Sequence, residues 1–278
     1  MERTPVVFIH GAWLHALSWE SWAERFASRG FLAFAPGWPG EAATAADVRK
    51  SPELLGRIGL DALTDHYAEI VRSFETAPVI VGHSVGGLIA QHLITADIGR
   101  AAVALAPAPI NGVLIDDVLI DDVPLLESPH RLSYSAGHDP TEQLVTLPAE
   151  QFHRVFANTV EAGESDRLHD RYVVPAPRRL LADVGWTGAP RSPRAVADVA
   201  NPERGPLLLI SGQEDRLVPD AATRAVYKQY GDTTAVTDLK QFADRGHSLV
   251  VDSGWRFVAD YVLGWLEGYG IRGHPPEG

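Results

Sequence analysis

Pro78-Val79-Ile80-Val81-Gly82-His83-Ser84-Val85-Gly86 is the stretch that decides the fold of this chain. Its first four residues are apolar without interruption, as suits a strand buried on both faces of a parallel sheet. A helical pattern begins at once with Val85 and runs to Thr95. The Gly-x-Ser-x-Gly therefore sits on a sharp strand-to-helix turn, which is the context that gives the pattern meaning. Such a turn forces unfavourable backbone angles on the serine, so its neighbours must be small, and Gly82 and Gly86 supply that room. The turn lifts the Ser84 hydroxyl above the sheet and sets it at a helix N-terminus, where amide N–H groups favour developing negative charge.

Similar apolar runs occur on either side. Val6–Ile9 and Phe31–Phe34 precede the turn; Ala102–Leu105, Leu207–Ile210 and a weaker stretch around Ala235-Val236 follow it. Amphipathic segments lie between them: Ser18 to Ser28, Gly59 to Phe74, Val85 to Thr95, Ala221 to Tyr230 and Trp255 to Leu266. Strand and helix alternating in this way imply right-handed βαβ units. The expected architecture is α/β: an open, doubly wound, mainly parallel sheet of about six strands. The rhythm breaks between 110 and 202, where prolines, charges and short helical pieces replace clear strands. A structureless loop of that size is implausible. The chain is thus expected to divide into a core of 1–109 and 203–278 and a mainly helical insertion of 110–202, placed after the fourth predicted strand. The insertion carries a tandem VLIDD-VLIDD (113–122). It lacks the glycine turn and spaced oxygens of a calcium loop, so it reads as a solvated acidic segment. The tail after Gly270 is expected to fray.

Composition narrows the function. The 278 residues suit one large domain with an insertion, and their 24 basic against 36 acidic residues give a net charge of -12. A nucleic-acid binder needs a basic face, so that class is disfavoured. There is no cysteine, which excludes thiolate metal sites, disulfides and cysteine nucleophiles together. No apolar run approaches the roughly 20 residues of a membrane span. The start, MERTPVVFIHG, moves straight into a strand without a basic, cleavable leader, so a cytoplasmic location is expected.

A serine in this position needs a base, and the base needs an orienting carboxylate. Of eleven histidines, His247 lies just after the last predicted strand, in Asp244-Arg245-Gly246-His247-Ser248. Asp215 lies just beyond Leu207–Ile210, in Gly212-Gln213-Glu214-Asp215-Arg216. Ligands of open α/β sheets gather at these carboxyl ends, and the chain order Ser84, Asp215, His247 is the order found with this kind of turn. Glu214 and Asp220 are rival carboxylates. The amides of Val85 and Ala12 are the candidate oxyanion donors, the latter from the loop His10-Gly11-Ala12-Trp13 that ends the first strand. His10 is read as a brace for that loop. Trp13, His83, Phe152, Phe156 and Trp186 are the candidate substrate-binding side chains, with His83 pointing away from the serine at the pocket wall.

Four motifs in this order, HGAW at 10–13, GHSVGG at 82–87, GQEDRLVP at 212–219 and DRGH at 244–247, resemble those of the α/β-hydrolase-fold serine hydrolases. The resemblance covers roughly 1–109 and 203–270. It implies that the insertion is a cap over the site. It also implies acyl transfer through an acyl-enzyme on Ser84, with His247 as base and then acid and Asp215 orienting it, and no metal or organic cofactor. The short start resembles compact bacterial carboxylesterases and the plant methylesterase and hydroxynitrile lyase branch. The lyases carry threonine where Gly11 stands and lysine where Ser248 stands, so the resemblance points to ester hydrolysis of a small to medium, partly apolar substrate. The same triad suits a thioesterase, lactonase, C–C hydrolase or cofactor-free perhydrolase, and some members of the fold are non-catalytic small-molecule receptors.

Overall fold

A computed structural model describes residues 3–113, 144–186 and 191–274. Six parallel strands form one sheet: β1 (Pro5–Ile9), β2 (Leu32–Phe34), β3 (Val79–His83), β4 (Ala101–Leu105), β7 (Leu207–Gly212) and β8 (Thr237–Phe242). Their spatial order is β2-β1-β3-β4-β7-β8. The four inner strands, PVVFI, VIVGH, AAVAL and LLLISG, are buried at every residue. Their lack of polar alternation follows from that double coverage. In register, Ile9 stands beside Gly82, His83 beside Leu105, and Leu105 beside Ile210. The carboxyl ends of these strands therefore open onto one rim.

Helices cover the two faces. Helix α1 (Glu20–Ala27) packs on α9 (Trp255–Gly268), and Trp19, Trp22 and Phe26 gather around Phe8 of β1, with ring centroids 5.1–6.4 Å apart. Burying each such ring contributes roughly 1.5–3 kcal/mol. Helix α3 (Leu60–Arg72) packs on α4 (Val85–Thr95). Tyr230, closing α8 (Asp220–Gln229), donates to Gln91 of α4 at 3.2 Å. A short helix, α2 (Ala45–Lys50), is capped by the Thr44 hydroxyl, which accepts from the Asp47 amide at 3.1 Å.

The chain runs from β1 outward to β2 and then back past β1 to β3. The direction of winding thus reverses between β1 and β3, the position at which an open α/β sheet leaves a crevice. Ser84 follows β3, and the Gly11 loop follows β1.

Between β4 and β7 the described part of the insertion holds α5 (Ala149–Gln151), a π-helical turn Phe152–Phe156, α6 (Ala162–Tyr172) and α7 (Arg178–Asp183). It also holds a two-stranded antiparallel pair, β5 (Leu144–Val145) with β6 (Ala176–Pro177), which two-residue strands do not announce in sequence. The acidic repeat from Leu114 onward lies outside the described residues.

Two expectations need correction. The last strand spans Thr237–Phe242 rather than Ala235-Val236. It is the sheet's edge, half-buried along most of its length, so its polar residues Thr237, Asp238, Lys240 and Gln241 masked it. The tail does not fray at Gly270. Ile271 is buried, the Thr4 hydroxyl donates to Arg272 O at 2.7 Å, and the His274 amide donates to Gly30 O at 3.0 Å. Among the described residues, no helix is long and apolar enough to cross a membrane.

Candidate active site

Ser84 caps α4 with φ 56° and ψ −118°, a left-handed backbone that a non-glycine residue adopts only where its surroundings impose it. The surroundings here are glycines packed on main chain. A Cβ on Gly82 would collide with Gly86 O, and one on Gly86 with Ile9 O. The Ser84 amide donates to Leu105 O at 2.9 Å, tying the turn to β4. The Val85 amide opens the first turn of α4, where N–H groups have no intrahelical partner. The loop after β1 passes directly beside the hydroxyl, since a Cβ on Gly11 would lie 3.2 Å from Ser84 Oγ.

Three expected side chains meet. His247 Nε2 lies 3.0 Å from Ser84 Oγ, and His247 Nδ1 lies 2.7 Å from Asp215 Oδ2. The other Asp215 oxygen accepts from the Leu217 and Val218 amides, both at 2.8 Å, so the carboxylate is fixed before it touches the ring. The two loops are tied together: the Gln213 amide donates to Phe242 O at 2.9 Å and the Glu214 amide to Arg245 O at 3.0 Å. The rival carboxylates are elsewhere. Glu214 is exposed, and Asp220 accepts from Ser211 at 2.5 Å, Gln241 at 2.7 Å and Arg224 at 2.7 Å.

The flanking aromatics arrange differently from a simple pocket wall. Trp13 (φ 64°) stacks on Trp186 with centroids 5.8 Å apart and planes within 3°, and its indole donates to Val145 O at 3.1 Å. Phe152 stacks on Phe156 at 4.9 Å, and the Phe156 and His247 rings meet edge to face with centroids 4.7 Å apart. His83 is not at a wall. It is fully enclosed behind His247, and its Nε2–H donates to the His247 carbonyl at 2.9 Å. Its burial and the neighbouring His247 charge push it well below the usual histidine range.

The insertion is bonded to both sides of this group. Leu14 bridges Val173, the Val174 amide donates to Trp13 O at 3.0 Å, and the His15 amide donates to Tyr172 O at 2.9 Å. On the other side the Ser248 amide donates to Phe156 O at 2.9 Å, and the Ser253 amide donates to Glu164 at 2.6 Å. In the turn that follows His247, Asp252 accepts from the Ser248 hydroxyl at 3.0 Å and the Gly254 amide at 2.9 Å.

A buried carboxylate braces the loop after β1, and no local pattern in the sequence announces it. Glu41 accepts from His10 Nε2 at 2.9 Å, the Trp38 amide at 2.7 Å and the Ala16 amide at 3.0 Å, and His15 Nε2 stands 3.2 Å away. Burial alone would raise its pKa. The attraction and hydrogen bond of His10, the attraction of His15 and the Ala16 amide outweigh burial and hold the carboxyl at about 2. His10 stacks on Trp38 at 4.6 Å, in keeping with its expected role as a brace. His15 Nδ1 stands 3.0 Å from the Leu17 amide, and its Nε2 lies 2.9 Å from Ala42 O.

Ser84 is 1 % exposed, Asp215 5 % and His247 0 %, so the three are closed off from solvent. A cavity of about 280 Å³ lies instead against His15, Leu17, Glu20, Ala35, Gly37 and Glu41 and touches none of the three. Among the described residues, no group of three or more His, Asp or Glu side chains could hold a metal ion.

A model of the alpha/beta hydrolase family matches residues 6–261. The chain belongs to the alpha/beta hydrolase family. Solved structures of the same fold include a methylesterase from Arabidopsis, at TM-score 0.66 and 18% identity, covering 95% of this chain and 99% of that one. A pyrethroid hydrolase from Sphingobium faniae is similar at TM-score 0.60 and 17% identity, covering 96% and 98%. Tomato methylketone synthase I is similar at TM-score 0.68 and 13% identity, covering 97% and 100%. At such identities the likeness is one of fold. No curated protein sequence matches the chain. Within the alpha/beta hydrolase family, function is argued from the site rather than the fold.

Proposed function

We propose that this protein is a serine hydrolase that cleaves a carboxylic ester of a small to medium, partly apolar substrate. The observation that carries the proposal is the hydrogen-bonded chain from Ser84 through His247 to Asp215, with the serine held at φ 56°. His247 takes the Ser84 proton as the hydroxyl attacks the ester carbonyl, and Asp215 holds the imidazole tautomer and stabilises its charged form. The amides of Ala12 and Val85 receive the negative charge that develops on the carbonyl oxygen. His247 then protonates the leaving alcohol, and water releases the acid from the acyl-enzyme by the reverse proton path. The 110–202 insertion acts as the cap, with Trp13 and Trp186 on one flank and Phe152 and Phe156 on the other. The bonds from Trp13, His15 and Ser248 to the insertion support that role. The name of one structural neighbour, the methylesterase, accords with ester cleavage.

The test is hydrolysis of p-nitrophenyl esters from acetyl to lauroyl by wild type beside Ser84→Ala. The substitution should leave the protein folded and cut kcat by about 10³ to 10⁶, and the wild-type rates should peak at one chain length. Activity of Ser84→Ala within tenfold of wild type would remove the serine from the reaction. A folded wild type that turns over none of the esters would defeat the ester reading.

A further inference from the structure

The mechanism gives no task to His83, a buried titratable side chain whose ring lies against that of the base. His83 closes β3, directly before Ser84, and has no exposed surface. It uses Nε2–H to donate to His247 O at 2.9 Å, while Nδ1 has no partner among the described residues. The neutral ring therefore holds one proton, on the nitrogen that faces the base's main chain. Its ring centroid stands 4.6 Å from that of His247 and 5.9 Å from that of Phe156.

The base itself sits in a turn, outside any helix or strand. Its ring is set by Asp215 and Ser84, but those contacts do not fix the peptide from which the side chain hangs. The peptide unit joining His247 to Ser248 is instead gripped at both ends. Its carbonyl accepts from His83 of the core, and its amide donates to Phe156 O of the insertion, each at 2.9 Å. Rotation of that plane would carry the imidazole away from the serine hydroxyl, and a misplacement of about 1 Å at a reacting group can cost about 10²-fold in rate.

We infer that His83 is a positioning residue of the hydrolase, holding the His247–Ser248 peptide plane so that the imidazole reaches Ser84. The inference rests on the serine-hydrolase reading above. It concerns only the donor at Nε2. The side-chain nitrogen of glutamine can occupy nearly the same place, that of asparagine matches the unpartnered Nδ1, and phenylalanine keeps the ring without a donor.

The experiment compares His83→Gln, His83→Asn and His83→Phe with wild type on the preferred p-nitrophenyl ester. The value read is kcat per site titrated with a fluorophosphonate, so that a smaller folded fraction does not count as a slower enzyme. His83→Phe and His83→Asn should lose about 10- to 100-fold in kcat with KM within threefold, and phosphonylation of Ser84 should slow in step. His83→Gln should recover to within about fivefold of wild type. The role is overturned if His83→Phe keeps kcat per titrated site within twofold, or if His83→Gln is no faster than His83→Asn. Should His83→Phe fail to fold, the Gln and Asn pair decides alone. Ser84→Ala runs alongside: an active Ser84→Ala defeats the reaction proposed here, whereas an inactive Ser84→Ala with unimpaired His83 variants defeats only the role of His83.

Discussion

Gly11 and Ser84 approach so closely that a Cβ on Gly11 would lie 2.5 Å from the Cβ of Ser84 and 2.9 Å from His83 O. Neither neighbour is the free end of a flexible chain, so the loop carrying Ala12 would have to withdraw to admit even one methyl group. Gly11→Ala is expected to lower kcat by about 10²- to 10³-fold, the loss that follows removal of one oxyanion donor. The check is kcat on the preferred p-nitrophenyl ester together with a thermal melt. A variant with wild-type kcat would mean that the Ala12 amide takes no part in the reaction.

Glu41 should make the fold acid-sensitive in a defined window. Its carboxyl titrates at about 2 in the fold against an ordinary 4.5. A carboxyl depressed in this way contributes stability that is complete above pH 4.5 and lost as the pH falls towards 2. The size of that contribution is about 3 kcal/mol. Glu41→Gln should therefore be less stable than wild type at neutral pH, and the two unfolding curves should converge as the pH approaches 2. Urea melts at a series of pH values provide the check, and a difference that persists unchanged at pH 2 would count against the ionic account.

The two indoles above the Ala12 loop should separate packing from selectivity. Trp186→Ala removes a buried ring and is expected to cost about 3–5 kcal/mol. It should also shift the ester chain-length optimum upward, because the space against Trp13 is freed. Trp13→Phe loses the bond to Val145 O but keeps an aromatic face, and should cost about 1 kcal/mol with the optimum unmoved. Identical chain-length profiles for wild type and Trp186→Ala would take Trp186 out of the acyl pocket.

Phe156 touches the base in two ways that mutation can tell apart. Its carbonyl receives the Ser248 amide of the same turn, and its ring lies nearly perpendicular to the His247 ring. Phe156→Leu keeps the first and trims the second. It should cost roughly 1–2 kcal/mol of stability and reduce kcat less than His83→Phe does, since the peptide plane stays gripped. Urea melts and kcat per titrated site measure the two effects, and a larger kcat loss than in His83→Phe would make the ring contact the more important one.

The nucleophile turn was legible because its demands are local: an apolar strand, small residues and a helix, all within Val79 to Thr95. The order Ser84, Asp215, His247 was legible because each lies just past the carboxyl end of a strand, where the topology delivers side chains to one rim. Glu41 was not, because nothing in Trp38-Pro39-Gly40-Glu41 records that His10, His15 and the distant Ala16 amide converge on it. The strand Thr237–Phe242 escaped for a related reason. An edge strand faces solvent, so its side chains do not follow the apolar rule that revealed Val6–Ile9. His83 was placed at a pocket wall because its sequence neighbours say where it starts, whereas its partner is the carbonyl of a residue far along the chain.

The bonds that join the first loop to the insertion carry a further consequence. Trp13, Leu14 and His15 are linked to Val145, Val173, Val174 and Tyr172 through main-chain and indole contacts. A movement that pulled the 144–174 stretch outward would draw on the loop that carries the Ala12 amide. In the proposed reaction, opening on that side would therefore uncouple the Ala12 donor from Ser84, and closure over a substrate would restore it.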